Sequence, residues 1–254
     1  MSFNIRNSAA RDGRNNWAVR RQAVGRLLCK YSPDIIGFQE VLADQLKDLA
    51  TLLPDYRHAG VGRDDGRAGG EFAPLFFRGL QPSDSETFWL SDTPEIPGCT
   101  WGGQNRICTR VSFTGPQRFA VFNTHLENAV EKARIKSIRL IAERLSAHTP
   151  NGPVFLIGDL NFKQGSREYR ILAVSMRDSY REDPAGRPWF VTSHSFSGRT
   201  VNRFWRFWGE GRIDYIWIKG DARVVRSRIL QEQPEPGPAL YPSDHWPLLC
   251  EVSF

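Results

Sequence analysis

Apolar runs closed by glycine, proline or a polar pair recur along the chain. The clearest is Pro153-Val154-Phe155-Leu156-Ile157-Gly158-Asp159-Leu160-Asn161. Its unbroken apolar core, with β-branched Val and Ile, predicts a strand buried on both faces. Asp34 to Val41 reads the same way and carries Glu40 at its end. Helical spacing lies between such runs. Val24, Leu27, Leu28 and Tyr31 fall at i, i+3, i+4 and i+7, behind a polar loop in which Asn15 or Asn16 is placed to cap, and Pro33 ends the helix. Leu46, Leu49, Ala50 and Leu53 predict a second helix, Ile138, Ile141, Ala142 and Leu145 a third, and Ser166 to Ala173 a short fourth. Strand and helix alternate at the start, which argues for an α/β chain.

From Glu71 the period changes towards strands: Phe72 to Arg78, Thr87 to Leu90, Ile107 to Phe113 and Arg118 to Thr124. Further strands are predicted at Trp189 to Phe196, Arg212 to Ile218, Arg223 to Leu230 and Leu248 to Val252. Gly60 to Gly70, rich in Gly, Arg and Asp, reads as a mobile loop. Ser2 to Arg6 already reads as a strand, so the first strand is expected to begin further upstream, and a targeting segment there would go unseen. With no internal repeat and no linker, residues 1–254 are expected to form a single domain.

Composition narrows the class. A chain of 254 residues can hold a large core, and 40% hydrophobic against 24% charged residues is globular rather than disordered. No stretch has the length of a membrane span and no basic segment leads into an apolar one, so a cytoplasmic location is expected, with secretion left open by the start. A net charge of +6 leans towards an anionic partner or substrate. The four cysteines show neither C-x-x-C nor zinc spacing. Cys29 and Cys250 read as small core residues, a Cys99–Cys108 bridge stays open, and His58 and His148 read as solvated.

Polar residues at strand ends carry the chemistry: Asn4, Glu40, His125, Asp159, Asn161, His194, Asp214, Asp244 and His245. Asp159 and Asn161 flank Leu160 and in extended chain share a face. An acid and an amide at the lip of a buried strand need a partner, either a cation or substrate phosphate, or more plainly the backbone of an Asx turn. Carboxylates suit Mg²⁺, which takes one or two of them and keeps waters and phosphate oxygens. A His beside an Asp supplies an oriented acid/base group. Together they form an inventory for metal-assisted hydrolysis of a phosphate ester.

Six motifs turn this inventory into a resemblance: Ser2-Phe3-Asn4-Ile5-Arg6, Gln39-Glu40-Val41, Asn123-Thr124-His125-Leu126, Gly158-Asp159-Leu160-Asn161, Arg212-Ile213-Asp214-Tyr215-Ile216 and Ser243-Asp244-His245-Trp246-Pro247-Leu248. In this order, over essentially the whole chain, the sequence resembles the endonuclease/exonuclease/phosphatase (DNase I-like) superfamily. Asp12-Gly13…Trp17…Arg20, Gly70-Glu71-Phe72 and Phe88 to Pro94 are more specifically similar to a bacterial subgroup of metal-dependent hydrolases. The resemblance implies an α/β (α+β) four-layer sandwich, two packed mixed or antiparallel sheets flanked by helices, with the site where strand ends meet. It implies Mg²⁺ or Mn²⁺ held by Glu40, with Asn4 and Asp244 beside it directly or through water. Asp159 would orient or deprotonate the attacking water, and Asn161 would hold a phosphate oxygen. His245 would act in acid/base chemistry, Asp214 would fix its tautomer, and His125 would stabilise phosphoryl charge. Arg106 and His194 match positions that line the cleft. Arg110 stands where the subgroup usually has an aromatic residue.

The expected activity is that of a phosphoesterase, foremost a phosphodiesterase, on nucleic acid or on a small organic phosphate or phospholipid headgroup. The contrary reading is a catalytically silent binding module of the same fold, against which the intact acids and histidines argue. The segment Arg199 to Arg212 interleaves arginines with Phe204, Trp205, Phe207 and Trp208, a composition for stacking on bases or for a membrane interface, or else for tucking aromatics against the body. Membrane contact is the lesser of these readings. No obligate protein partner is expected, and the chain is expected to be a monomer.

Overall fold

The computed structural model describes residues 1–148, 152–185, 191–198, 211–232 and 241–254. Two six-stranded mixed sheets make its body. The strands are β1 Ser2–Asn4, β2 Ile35–Gln39, β3 Arg57–Ala59, β4 Leu75–Phe77, β5 Gln81–Trp89, β6 Ile107–Thr114, β7 Phe119–His125, β8 Val154–Asp159, β9 Arg177–Asp178, β10 Asp214–Lys219, β11 Arg223–Ile229 and β12 Leu248–Ser253. The helices are α1 Trp17–Tyr31, α2 Ala43–Leu52, α3 Glu131–His148 and α4 Arg167–Ala173. The first sheet runs β11-β12-β1-β2-β4-β3 and the second β5-β6-β7-β8-β10-β9. Parallel pairing occurs at β1/β2 and at β7/β8, where α1 and α3 make the crossovers.

Three apolar clusters give the layers. Phe3, Ile36, Phe38 and Phe76 of the first sheet pack with Val24, Leu27, Leu28 and Leu49 of α1 and α2. Phe122, Leu156, Tyr215 and Trp217 of the second sheet pack with Ile138, Ile141, Leu145 and Leu172 of α3 and α4. Between the sheets lie Leu75, Phe77, Val224 and Leu248 from one side and Val111, Val121, Ile157 and Ile218 from the other. The result is a helix–sheet–sheet–helix sandwich. β8 sits centrally with all six residues buried, which is why it reads as one continuous apolar run.

Where the two sheets approach, the contact is polar as well as apolar. Asn123 of β7 is fully buried and reaches across to the first sheet. Its Nδ2 donates to the Phe38 carbonyl at 2.8 Å and the Pro74 carbonyl at 2.9 Å, while its Oδ1 accepts from Gln39 Nε2 at 2.7 Å. Gly37 makes room: a Cβ there would stand 2.6 Å from Asn123 Oδ1 and from Ile157 Cδ1.

Several elements differ from expectation. β5 begins at Gln81, well before Thr87, because its polar first half is an exposed edge strand whose pairing with β6 carries a bulge at Pro82/Asp84. β3 and β9 are short additional edge strands. The expected Phe72–Arg78 strand contracts to Leu75–Phe77, Pro74 interrupting it, although Phe72 still bridges Val41 and Gly62. Trp189 to Phe196 is not a strand in its described part. Ser193 forms an isolated bridge with His245, and Ser195 and Phe196 take left-handed φ of 47° and 60°. Gly60 to Gly70 is knit by its own hydrogen bonds, with Gly62 N donating to Arg67 O and Asp65 accepting from the Arg67 and Gly69 amides.

Asn16 caps α1 by accepting from Val19 N at 3.2 Å, and Ala50 of α2 faces solvent. Cys29 is exposed rather than buried, Cys250 is half-buried, and Cys99 and Cys108 are both free. His58 is exposed as expected, though it stacks on Phe76 with ring centroids 4.9 Å apart, and His148 is half-buried, meeting the Phe122 ring at 5.6 Å. Arg110 is buried and paired with Asp84 at 2.6 Å. No described helix is long and apolar enough to cross a membrane. Residues 199–210 of the aromatic-basic segment lie outside the described residues, while Arg212 is buried between Tyr180 and Tyr215 and pairs with Asp178.

Candidate active site

Strand register assembles the site. His125 ends β7 opposite Asp159 in the parallel pairing with β8, and Asp214 begins β10 opposite the same Asp159 in the antiparallel pairing. Three side chains from adjacent strands therefore stand side by side at one sheet end. From the first sheet, Asn4 ends β1 next to Gln39, and Glu40 follows in a left-handed conformation with φ 59°. Gly158 lets β8 reach this point: with φ 150°, its Cβ would lie 2.0 Å from the Thr124 carbonyl.

Asn4 couples the sheets. Its Nδ2 donates to Glu40 Oε1 at 3.0 Å and Asp159 Oδ2 at 2.9 Å, and its Oδ1 accepts from Arg6 N at 2.9 Å. The opposite amide orientation would set an oxygen against two carboxylates, so the nitrogen faces the acids. Arg6, with φ 58°, also lies 3.9 Å from Glu40 and 3.8 Å from Asp244. Ser243 Oγ donates to the Asn4 carbonyl at 2.7 Å, which ties the loop bearing Asp244 and His245 to β1.

His245 is buried and its Nδ1 lies 2.9 Å from Asp214 Oδ2, with Asp159 Oδ2 3.8 Å from Nε2. Burial by itself disfavours the imidazolium. The charge and hydrogen bond of Asp214, with Asp159 and Asp244, outweigh it and hold the His245 pKa well above its ordinary value. Asp159 is pushed up, first by burial and then by Asp214. Asp244 is also raised, chiefly by burial. His125 behaves oppositely: burial, then Arg106, Arg63 and His245, hold it well below its ordinary value, so it is neutral. Its Nε2 lies 3.7 Å from Asp159, and its Nδ1 has no hydrogen-bond partner among the described residues.

The remaining expected residues stand at the margins. Asn161, with φ 50°, donates its backbone N to Asp159 Oδ1 at 3.1 Å and its Nδ2 to the Leu126 carbonyl at 2.9 Å. Arg106 lines a small crevice with Arg63, Glu71 and His125. It is buried, lies 3.8 Å from Glu127, and has Nε and Nη1 without hydrogen-bond partners among the described residues. His194 stacks on Trp246 with centroids 4.0 Å apart; its Nδ1 accepts from Gly198 N, and its Nε2 has no such partner.

Other residues hold this arrangement: Arg20 and Glu71 fall in the motifs similar to the bacterial subgroup, whereas Thr192 and Asn7 carry no motif signal of their own. Thr192 Oγ1 accepts from the Ile213 and Asp214 amides at 3.1 and 3.2 Å. Arg20, fully buried, donates to the Ile5, Arg6, Asn15 and Pro242 carbonyls, joining β1 to the Asp244 loop. Asn7 and Glu71 flank Glu40. Five of the six described non-glycine residues with positive φ, all but Ser32, belong to these segments, which is where backbone strain concentrates in functional sites.

Chemically the arrangement offers an oriented, charged imidazole beside two buried acids, with a second acidic group at Glu40 and Asp244. Ligand-type atoms of Asp159, Asp214 and His245 lie within 4.8 Å of one another, a grouping able to hold a metal. The hydrogen bond between His245 and Asp214 already engages two of them, which favours an acid/base pair there.

Comparison with known proteins identifies the fold. A structure of an endonuclease/exonuclease/phosphatase from Bacteroides vulgatus superposes with a TM-score of 0.85 at 32% identity, covering 99% of this chain and 97% of that one. A mannosyl-6-phosphatase of Bacteroides thetaiotaomicron gives 0.88 at 30% identity, covering 100% and 98%. Tyrosyl-DNA phosphodiesterase 2 of Bos taurus is 25% identical over 252 residues, 94% of this chain and 64% of that protein. The chain spans about three fifths of the length of the first curated relatives it matches. The profile described as the Endonuclease/Exonuclease/phosphatase family matches residues 1–245, and it is to this family, with its DNase I-like fold, that the chain belongs.

Proposed function

We propose that the chain is a divalent-metal-dependent phosphoesterase, foremost a phosphodiesterase, in which residues 1–254 act as one domain because both sheets contribute to the site. The observation that carries this reading is the buried His245–Asp214 pair at 2.9 Å, set 3.8 Å from Asp159. Asp214 fixes the imidazole with Nε2 towards the substrate and supports its charge, so His245 delivers a proton or steadies a phosphoryl oxygen. Asp159, fastened by Asn4 and the Asn161 amide, orients the attacking water and accepts its proton. His125, neutral, faces the developing phosphoryl charge as a polar donor. Arg106 and His194 contact the substrate, and Asn161 has a second N–H on Nδ2 for a phosphate oxygen.

The donor set fits a hard cation. Glu40 and Asp244 are largely buried carboxylates gathered around Arg6, at 3.9 and 3.8 Å, and burial and Glu40 both raise the Asp244 pKa, which a divalent ion would relieve. Those two would hold Mg²⁺ or Mn²⁺. Asn4, which turns its nitrogen to the acids, orients Glu40 instead of offering an oxygen. When bound, the ion would withdraw charge from the phosphoryl group and acidify water.

The substrate is a phosphate ester, with nucleic acid and a small organic phosphate as its two candidate classes. Relatives named for a phosphodiesterase and for a sugar phosphatase support the ester and leave both classes in play. The test is turnover of bis-p-nitrophenyl phosphate, p-nitrophenyl phosphate, single-stranded DNA, RNA and a phospholipid with Mg²⁺, Mn²⁺ or EDTA, beside His245→Ala. Turnover sensitive to EDTA and to His245→Ala is expected. Folded protein inert towards every substrate with either metal would leave the silent-module reading standing.

A further inference from the structure

Glu40 is gripped by residues to which the chemistry above assigns no part. Asn7 reaches Glu40 Oε2 twice, through its backbone N at 3.2 Å and its side-chain Nδ2 at 3.0 Å. The same Nδ2 lies 3.4 Å from Oε1 of Glu71. The other oxygen of Glu71 accepts from Arg63 Nη1 at 2.6 Å, and Arg63 Nη2 continues to Gln104 Oε1 at 3.0 Å. A primary amide carries two hydrogens in one plane, so Asn7 can serve both acids only in a single orientation. The backbone sets the spacing, since Phe72 N donates to the Val41 carbonyl at 2.7 Å and pins the residue after Glu71 to the residue after Glu40. Glu40 is thus fixed from one side by a chain running through Asn7, Glu71 and Arg63. From the other side Asn4 holds Oε1.

We propose that Asn7 and Glu71 are positioning residues that aim the Glu40 carboxylate at a divalent cation, with Arg63 anchoring Glu71. This rests on the metal-dependent reading above. Removing Asn7 frees Glu40 to rotate and leaves two acids facing each other without a donor between them. Removing Glu71 frees the Asn7 amide. Partners of this kind around metal-bearing groups typically change metal affinity by about 10- to 100-fold.

The test uses Mn²⁺ alone and the full chain, with free Mn²⁺ followed by electron paramagnetic resonance in the absence of substrate. Wild type is compared with Asn7→Ala, Glu71→Ala, Glu71→Gln and Glu40→Gln, each checked for folding by circular dichroism and thermal midpoint. The expected result is Mn²⁺ affinity lowered about 10- to 100-fold in Asn7→Ala and Glu71→Ala, with a smaller loss in Glu71→Gln, whose amide oxygen still accepts from Asn7 while its NH2 cannot accept from Arg63. Should Asn7→Ala not fold, the two Glu71 variants decide the matter alone. Affinities within twofold of wild type in the folded alanine variants overturn the proposal while leaving the metal reading intact. Wild type binding no Mn²⁺ in a Glu40-dependent manner overturns both.

Discussion

The side-chain nitrogen of Asn4, at the end of a strand in one sheet, lies 2.9 Å from Asp159, at the end of a strand in the other. One buried amide thus joins the two halves of the sandwich at the point where their acids converge. Asn4→Ala removes the donor shared by Glu40 and Asp159 and is expected to cost about 1–3 kcal/mol of stability. Urea unfolding measures this, and turnover should fall with it. Asn4→Asp, which sets a third carboxylate between two others, should be the more damaging at neutral pH.

Asp214→Asn keeps the shape of the pair but offers His245 Nδ1 a donor, which drives the imidazole into the wrong tautomer. Turnover is expected to drop about 10²- to 10⁴-fold with the fold retained. A variant with turnover near wild type would remove the tautomer role.

His194 lets the pH dependence of stability be tested with a definite sign. Burial, then the charge of His245, lowers its pKa to about 3. The unfolded chain takes up this proton below about pH 6.5 while the folded chain does not, so stability falls as pH drops from there towards 3, by up to about 1.4 kcal/mol per pH unit. His194→Gln, which keeps an acceptor for Gly198 N, should flatten the acid slope by close to one proton. Urea midpoints at pH 7, 6, 5 and 4 in both proteins measure the difference.

Gly158→Ala forces a Cβ to within 2.0 Å of the Thr124 carbonyl at a φ that side chains rarely adopt. A loss of roughly 3 kcal/mol or more is expected. Gly37→Ala meets movable side-chain atoms of Asn123 and Ile157 and should cost less, though it disturbs the amide that spans the sheets. Thermal midpoints of the two variants rank them.

What the chain reveals without coordinates follows burial. β2 and β8 are covered on both faces, so their apolar runs are continuous and plain to read. β3, β9 and the first half of β5 are edges whose pairing comes from a neighbour and leaves little trace in local pattern. Cys29 sits in a helical stripe one position off the buried face, which periodicity does not resolve. Glu40, His125 and Asp159 stand out because each closes an apolar strand, and Asp214 because it opens one. Thr192 and Asn7 do not, since their partners are amides and acids of other segments.

The sheet order β11-β12-β1 has a consequence for synthesis. The strand that joins β1 to β11 is β12, and the loop just ahead of it carries Asp244 and His245. A ribosome-bound chain lacking those residues has its first sheet divided and its acid/base pair incomplete. On the proposed mechanism, a fragment that stops short of residue 243 therefore lacks His245 and is expected to be inert towards phosphate esters.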